Sequence, residues 1–168
     1  IVDTQGDDLF IFTDKDAPNM RLVKVSIKNP SPENWKDVIP ETENVLSVSE
    51  AGGYFFGKYM KDAISLVKQF DKTGKMVREI ALPGKGTVSG FGGKKEDKDI
   101  YYSFTNYITP GTIYKYNVAS GKSEIYQKPK VKFSPEDYVS EQVFYTSKDG
   151  TKIPMMINYK KGTKLDGK

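Results

Sequence analysis

The sequence predicts an all-β chain assembled from four-stranded antiparallel units. Short aromatic and β-branched stretches recur from end to end, separated by clusters of Gly, Pro, Asn and Asp. Helical periodicity is missing, and the one tolerable window, Lys58 to Phe70, is better explained as strand, turn, strand. The triplets Leu22-Val23-Lys24, Leu66-Val67-Lys68 and Ile113-Tyr114-Lys115 return 44 and 47 residues apart in matching surroundings.

Taken in order, Ile1-Val2-Asp3-Thr4 reads as the tail of a first strand, so the first unit is incomplete. An aromatic strand follows at Leu9 to Phe12, then the first triplet, the polar turn Asn29-Pro30-Ser31-Pro32, and a closing strand from Trp35 to Ile39. Trp35 is expected on that outermost strand, packed with one edge exposed. The second unit repeats the order: Val45 to Val48, Tyr54-Phe55-Phe56, the second triplet, the turn Asp71-Lys72-Thr73-Gly74, and Met76 to Ile80. The third has Thr87 to Phe91, Ile100 to Phe104, the third triplet, the turn Ala119-Ser120-Gly121, and Ser123 to Tyr126. Gln127 to Asp137, with Pro129 and Pro135, reads as an extended linker. Last, Asp149-Gly150 between Val143, Tyr145 and Ile153, Met155, Ile157 announces a β-hairpin.

Four antiparallel strands per unit of about 45 residues is the signature of a β-propeller blade. A lone blade cannot bury both faces, whereas stacking around an axis covers each face with its neighbour. Propellers close with roughly four to eight blades, and this chain supplies about three, at residues 1–41, 43–83 and 85–128. A partial propeller over 1–128, a linker over 129–140 and a separate hairpin from 141 to 168 is the expected organisation, the sequence being a piece of a larger whole.

Composition narrows the function. The 168 residues contain no Cys and no His, which leaves no thiol nucleophile, no disulfide, no imidazole base and no histidine or thiolate metal ligand. No apolar run approaches the roughly 20 residues of a membrane span. The net charge of +4 comes from lysines interleaved with acids, as in Lys94-Lys95-Glu96-Asp97-Lys98-Asp99, and the arginines are Arg21 and Arg78 alone. That distribution describes a solvated surface and not a nucleic-acid face. Neither a nucleic acid nor a membrane is expected as partner, and the absence of Cys leaves cytoplasm and periplasm equally open.

Several stretches invite sharper readings. Gly84 to Gly93 is glycine-rich like a phosphate loop, but it lacks Gly-Lys-Ser/Thr and a following helix. Asp14 and Asp16 beside Asp7 and Asp8 lack calcium-loop spacing and a closing Glu. Asp62, Glu136 and Asp149 are scattered carboxylates, and Ser134 and Ser147 are hydroxyls without a base. No catalytic, cofactor-binding or metal-ligating residue is therefore assigned, and no cofactor is expected.

The segment Glu141 to Gly167, EQVFYTSKDGTKIPMMINYKKGTKLDG, resembles the junction in prolyl oligopeptidases where the propeller returns to the hydrolase domain. Tyr101 to Asn117, YYSFTNYITPGTIYKYN, resembles their last blade, and Asn19 to Glu41 an earlier one. The resemblance implies a seven-bladed propeller capping an α/β-hydrolase, in a serine peptidase that cleaves short peptides after proline. It implies that the propeller filters substrates by size and that residues 141–168 begin the catalytic domain. The family's Gly-x-Ser-x-Gly elbow, triad Asp and His, and proline-pocket aromatics have no counterpart here. The chain is thus expected to be catalytically silent alone, with the parent's oligopeptide substrates, the missing blades and the hydrolase domain as its partners. The repeat by itself equally suits a non-enzymatic propeller used as a binding or scaffold module. Either way, uncovered blade faces lead us to expect self-association of the isolated chain.

Overall fold

The computed structural model describes residues 1–167; Lys168, the last residue of the 141–168 segment, lies outside them. The described residues form four antiparallel sheets whose strands pair in sequence order. The first holds β1 (Asp3–Gln5), β2 (Asp8–Thr13), β3 (Arg21–Ser26) and β4 (Lys36–Ile39). The second holds β5 (Val45–Ala51), β6 (Tyr54–Lys61), β7 (Ile64–Phe70) and β8 (Met76–Glu79). β9 (Thr87–Gly90), β10 (Asp99–Thr105), β11 (Thr112–Asn117) and β12 (Ser123–Gln127) make the third, and β13 (Tyr138–Thr146) with β14 (Lys152–Lys160) the hairpin. The architecture is all-β, with only single 3-10 turns at Pro32–Asn34 and Pro135–Asp137 among the described residues.

Each recurring triplet lies on the third strand of its sheet, where aliphatic and lysine side chains alternate across the pleat. The leading strand of the first sheet is the short piece expected, pairing Asp3 with Phe10 through Gln5 with Asp8. In all three sheets the third-to-fourth strand pairing carries a register shift, a bulge that bends the outer strand.

Two core clusters show how the sheets stack. Phe10, Leu22 and Ile39 of the first sheet pack with Leu46, Phe55 and Phe70 of the second. Phe56 and Val67 of the second pack with Phe91, Ile100, Tyr102 and Tyr116 of the third. Phe55 and Phe56 are adjacent on β6, so their rings leave opposite faces and enter different clusters. The second sheet is therefore covered on both sides, which is why its sequence shows an unbroken Tyr-Phe-Phe run and not a polar alternation.

Polar pegs join the same interfaces. The Gln69 side chain is fully buried; its amide donates to the Val118 carbonyl (2.9 Å) and its carbonyl accepts from the Tyr116 hydroxyl (2.7 Å). Between the first two sheets, Lys72 Nζ lies 2.6 Å from Asp3, 3.1 Å from Glu50 and 4.0 Å from the Phe55 ring centroid. Lys95 completes the cluster at 2.6 Å from the other oxygen of Asp3.

Two expectations change. Trp35 precedes β4, capping the 3-10 turn, because its indole N–H donates to the Pro30 carbonyl (3.0 Å) and ties it to that turn. Phe91 leaves the strand it was read into. Gly90 and Phe91 both take positive φ, 104° and 65°, and the reversal drives the Phe91 ring onto Tyr102 at 4.5 Å.

In the hairpin, Ser147 N–H bonds the Thr151 carbonyl (2.8 Å) and Gly150 takes φ 86°. This is a loop longer than two residues, closed by a left-handed glycine. β13 opens at Tyr138, inside the segment read as linker, directly after the Pro135–Asp137 turn.

Candidate functional site

Where three turns of the second and third sheets meet the hairpin, they leave a cleft of about 310 Å³. One wall is the β6–β7 connection, the two-residue turn Asp62-Ala63 with φ of 49° and 63°. Both residues being left-handed matches the twist of the flanking strands, the geometry normally reserved for Asn-Gly. The second wall is the approach to β9. The Ser65 N–H donates to the Gly86 carbonyl (2.9 Å), so the two sheets touch through backbone here. Gly86 has no positive φ; its need is space, since a Cβ would stand 2.4 Å from the Thr105 carbonyl.

The third wall is the turn after β10. Asn106 fixes it: its Oδ1 accepts from the backbone N–H of Ile108 (3.1 Å) and Thr109 (2.7 Å), and its Nδ2 donates to the Lys85 carbonyl (3.0 Å). Tyr107 is carried outward on that frame. Met156 of β14 closes the fourth side. The hairpin is tied alongside by Gln142, whose Nε2 donates to the Asp62 carbonyl (2.5 Å).

Chemically the cleft can bind but holds no acid–base pair. Ala63, Ile64 and Met156 supply apolar surface, with Thr87, Thr105 and the Lys85 chain at its margin. Among the described residues Lys85 has no carboxylate within ion-pairing distance, and none form a group of three or more His, Cys, Asp or Glu that could hold a metal ion.

The residues singled out in the sequence lie apart. Asp62 does not line the cleft, its carbonyl holding Gln142 beside it, and Gly84 to Gly93 supplies one wall through Lys85 to Thr87 while opening no helix. Asp7 and Asp8 pair with Lys28 and Lys24, and Asp16 with Lys15, so these carboxylates are spent on neighbouring lysines. Glu136 accepts from the Ser134 hydroxyl (2.8 Å); its own backbone amide first, then Ser134 and Lys128, hold its carboxyl below the usual range. Asp149 caps its hairpin, the Thr151 N–H chief among the donors that lower its pKa. Ser134 and Ser147 are turn residues whose neighbouring carboxylates, Glu136 and Asp149, are both held below the usual range and are weak bases. No helix among the described residues is long and apolar enough to cross a membrane.

Sequence reasoning missed Lys85, Tyr107 and Met156 as a group, because the three come from different turns and share no spacing. It also missed the Asp3–Lys72–Glu50–Lys95 cluster. Burial pushes the Asp3 carboxyl up, but Lys72 and Lys95 outweigh it and its pKa lies below 3.8. Glu50 and Lys72 are 22 residues apart and Asp3 and Lys72 are 69 apart, beyond any local pattern.

The family described as "Prolyl oligopeptidase, N-terminal beta-propeller domain" matches residues 1–129. A prolyl endopeptidase of Elizabethkingia meningoseptica is 70% identical over 168 residues, covering 100% of this chain and 24% of the relative. One from Dictyostelium discoideum is 32% identical over 177 residues, covering 98% and 23%. Among solved structures, one from a study of two prolyl endopeptidases and their inter-domain dynamics superposes with a TM-score of 0.85 at 42% identity, covering 96% of this chain and 24% of that one. Prolyl oligopeptidase B from Galerina marginata, bound to a 35mer hydrolysis and macrocyclization substrate, superposes at 0.84 with 30% identity, covering 99% and 24%. The chain thus spans about a quarter of the length of the relatives it matches.

Proposed function

From the premise that the chain belongs to the prolyl oligopeptidase family through its N-terminal β-propeller domain, we propose that it serves in a serine endopeptidase cleaving short peptides after proline. In this reading residues 1–128 are propeller, with blades at 1–41, 43–83 and 85–128, residues 129–140 are the linker, and 141–168 begin the catalytic domain. The propeller portion limits which substrates reach the triad, admitting oligopeptides and turning folded proteins away. It supplies no catalytic group.

The single observation that carries the reading is the order of parts: three stacked four-stranded sheets followed by a separately paired hairpin, in a chain 70% identical along its whole length to a prolyl endopeptidase. The chemistry is consistent with the division of labour. A chain without His or Cys cannot assemble a Ser-His-Asp or Cys-His site, while stacked, aromatic-cored sheets make a rigid wall.

The test uses a chromogenic peptide with proline at the cleaved position. The whole enzyme carrying this chain should hydrolyse it, a serine-directed inhibitor should stop the reaction, and the 168-residue polypeptide alone should show no turnover. Inhibitor-sensitive hydrolysis by the polypeptide alone, or no post-proline cleavage by the whole enzyme, overturns the reading. A short peptide cleaved no faster than a folded protein of equal proline content removes the size filter.

A further inference from the structure

Tyr107 is 77% exposed, yet the turn that holds it is fixed. Besides the three bonds to its side chain, Asn106 donates its own N–H to the Thr109 carbonyl (3.1 Å), and the Thr105 hydroxyl donates to that same carbonyl (3.1 Å). A loose loop would let the ring fold down onto apolar surface. Here the backbone is committed and the ring stands out in water. A rigid tyrosine presents a large amphipathic surface at little entropic cost on binding, which is how paratopes use it.

The ring borders the cleft lined by Ala63, Ile64 and Met156, and Lys85 lines it too, with no carboxylate within ion-pairing distance among the described residues. At about 310 Å³ the space admits one or two amino-acid side chains and not a cofactor. An apolar floor, an aromatic wall and a single cation complement an apolar side chain adjacent to a carboxylate. A small inorganic anion would find one cation and a few neutral polar groups, such as Thr87, at the margin of a mostly apolar surface, which does not replace its hydration.

We propose that this cleft is a secondary peptide subsite, taking an apolar residue beside a carboxylate on the part of a long substrate remote from the cleaved bond. The carboxylate is either an acidic side chain or the substrate's C-terminus. The proposal rests on the peptidase reading above. It adds a place where the propeller side selects among peptides by sequence as well as by size.

The experiment uses the whole enzyme that carries this chain, with the variants Tyr107→Ala and Lys85→Gln, and Lys28→Gln as a control on the exposed turn after β3. The measured quantity is the ratio of kcat/KM for a long proline-containing peptide with an apolar–acidic segment to that for the short chromogenic peptide. Each cleft variant should lower that ratio about fivefold to tenfold, the size of one apolar or charge-assisted contact, and Lys28→Gln should leave it in place. Replacing the substrate's acidic side chain by its amide, or amidating its C-terminus, identifies the carboxylate; whichever matters should cancel the Lys85→Gln effect. A ratio unchanged in both cleft variants overturns the subsite. Failure of the unsubstituted enzyme to cleave the short peptide instead overturns the peptidase reading on which it rests.

Discussion

Gln69 and Tyr116 form a polar bridge inside an otherwise apolar interface, and each is fully buried. Replacing Tyr116 by Phe would leave the Gln69 carbonyl without its donor, which costs about 1–2 kcal/mol. Chemical denaturation of the variant at neutral pH checks this. The same phenol gives a pH dependence of known sign. Burial, more than any neighbouring charge, raises the Tyr116 pKa to about 12, against an ordinary value of 10. Its contribution to stability is thus complete below pH 10 and lost as pH rises from 10 toward 12. Tyr59, Tyr102 and Tyr114 are also raised, each by burial, so stability should fall steeply across this window, and Tyr116→Phe should flatten part of the fall. The acid side is set by Asp3. Its lowered pKa means a contribution present above 3.8 and lost as pH drops through its folded value. Lys72→Met should cost about 3 kcal/mol, since it leaves Asp3 and Glu50, only 4% and 10% exposed, with one shared cation fewer. A variant melting like the unsubstituted protein at neutral pH would show that the cluster relaxes into water.

Turns decide how these strands are held, and they differ in what a substitution meets. Ala63 occupies the left-handed region at φ 63° in the two-residue turn between β6 and β7. Ala63→Gly should stabilise the chain by about 1 kcal/mol, raising Tm by roughly 2–4 °C at this size, and calorimetry would register it. Gly74 and Gly150 both have positive φ, but a Cβ at Gly74 would stand 2.0 Å from the Val38 carbonyl, whereas Gly150 has open space. Gly74→Ala should therefore cost about 3 kcal/mol or more, and Gly150→Ala only the conformational penalty of about 1 kcal/mol. Equal losses would mean that the turn following β7 moves freely away from β4. The elements themselves were legible because the signal was local. The triplets at Leu22, Leu66 and Ile113 fall on the third strand of each sheet, and Asp149-Gly150 closes the hairpin. Trp35 and Phe91 were misplaced by one residue beyond a strand end, where a side-chain bond to Pro30 and a left-handed backbone override strand propensity. The cleft was not legible at all. It is assembled by three turns, the strand ends beside them and Met156 of β14, and only the stacking of sheets brings Ala63, Lys85, Tyr107 and Met156 together.

Across the whole molecule, surface area shows how the sheets stand. A compact protein of 18.9 kDa exposes about 8,300 Å²; this chain exposes 10435 Å². Some of the exposed apolar surface lies where the stacking runs out. The second sheet has neighbours on both faces, but the outward face of the third carries Tyr101 at 44% exposure and Tyr126 at 62%, their rings 4.8 Å apart with nothing over them among the described residues. In the hairpin, Phe144 and Tyr145 are adjacent and so point to opposite faces, yet both are about half exposed. A two-stranded ribbon with apolar side chains on both faces is only marginally stable in water, and its unpaired edges offer backbone donors and acceptors to any passing strand. The isolated chain should therefore associate with itself as concentration rises, through the hairpin first. Sedimentation velocity over a hundredfold concentration range should show the weight-average mass climbing, and Tyr145→Lys with Met155→Glu should suppress the climb by charging one hairpin face. The same double substitution should leave the Gln69–Tyr116 interface intact, visible as the same loss of stability between pH 10 and 12. A single monomeric species across the range, melting in one cooperative step, would instead mean that the hairpin folds back to cover its own apolar surface.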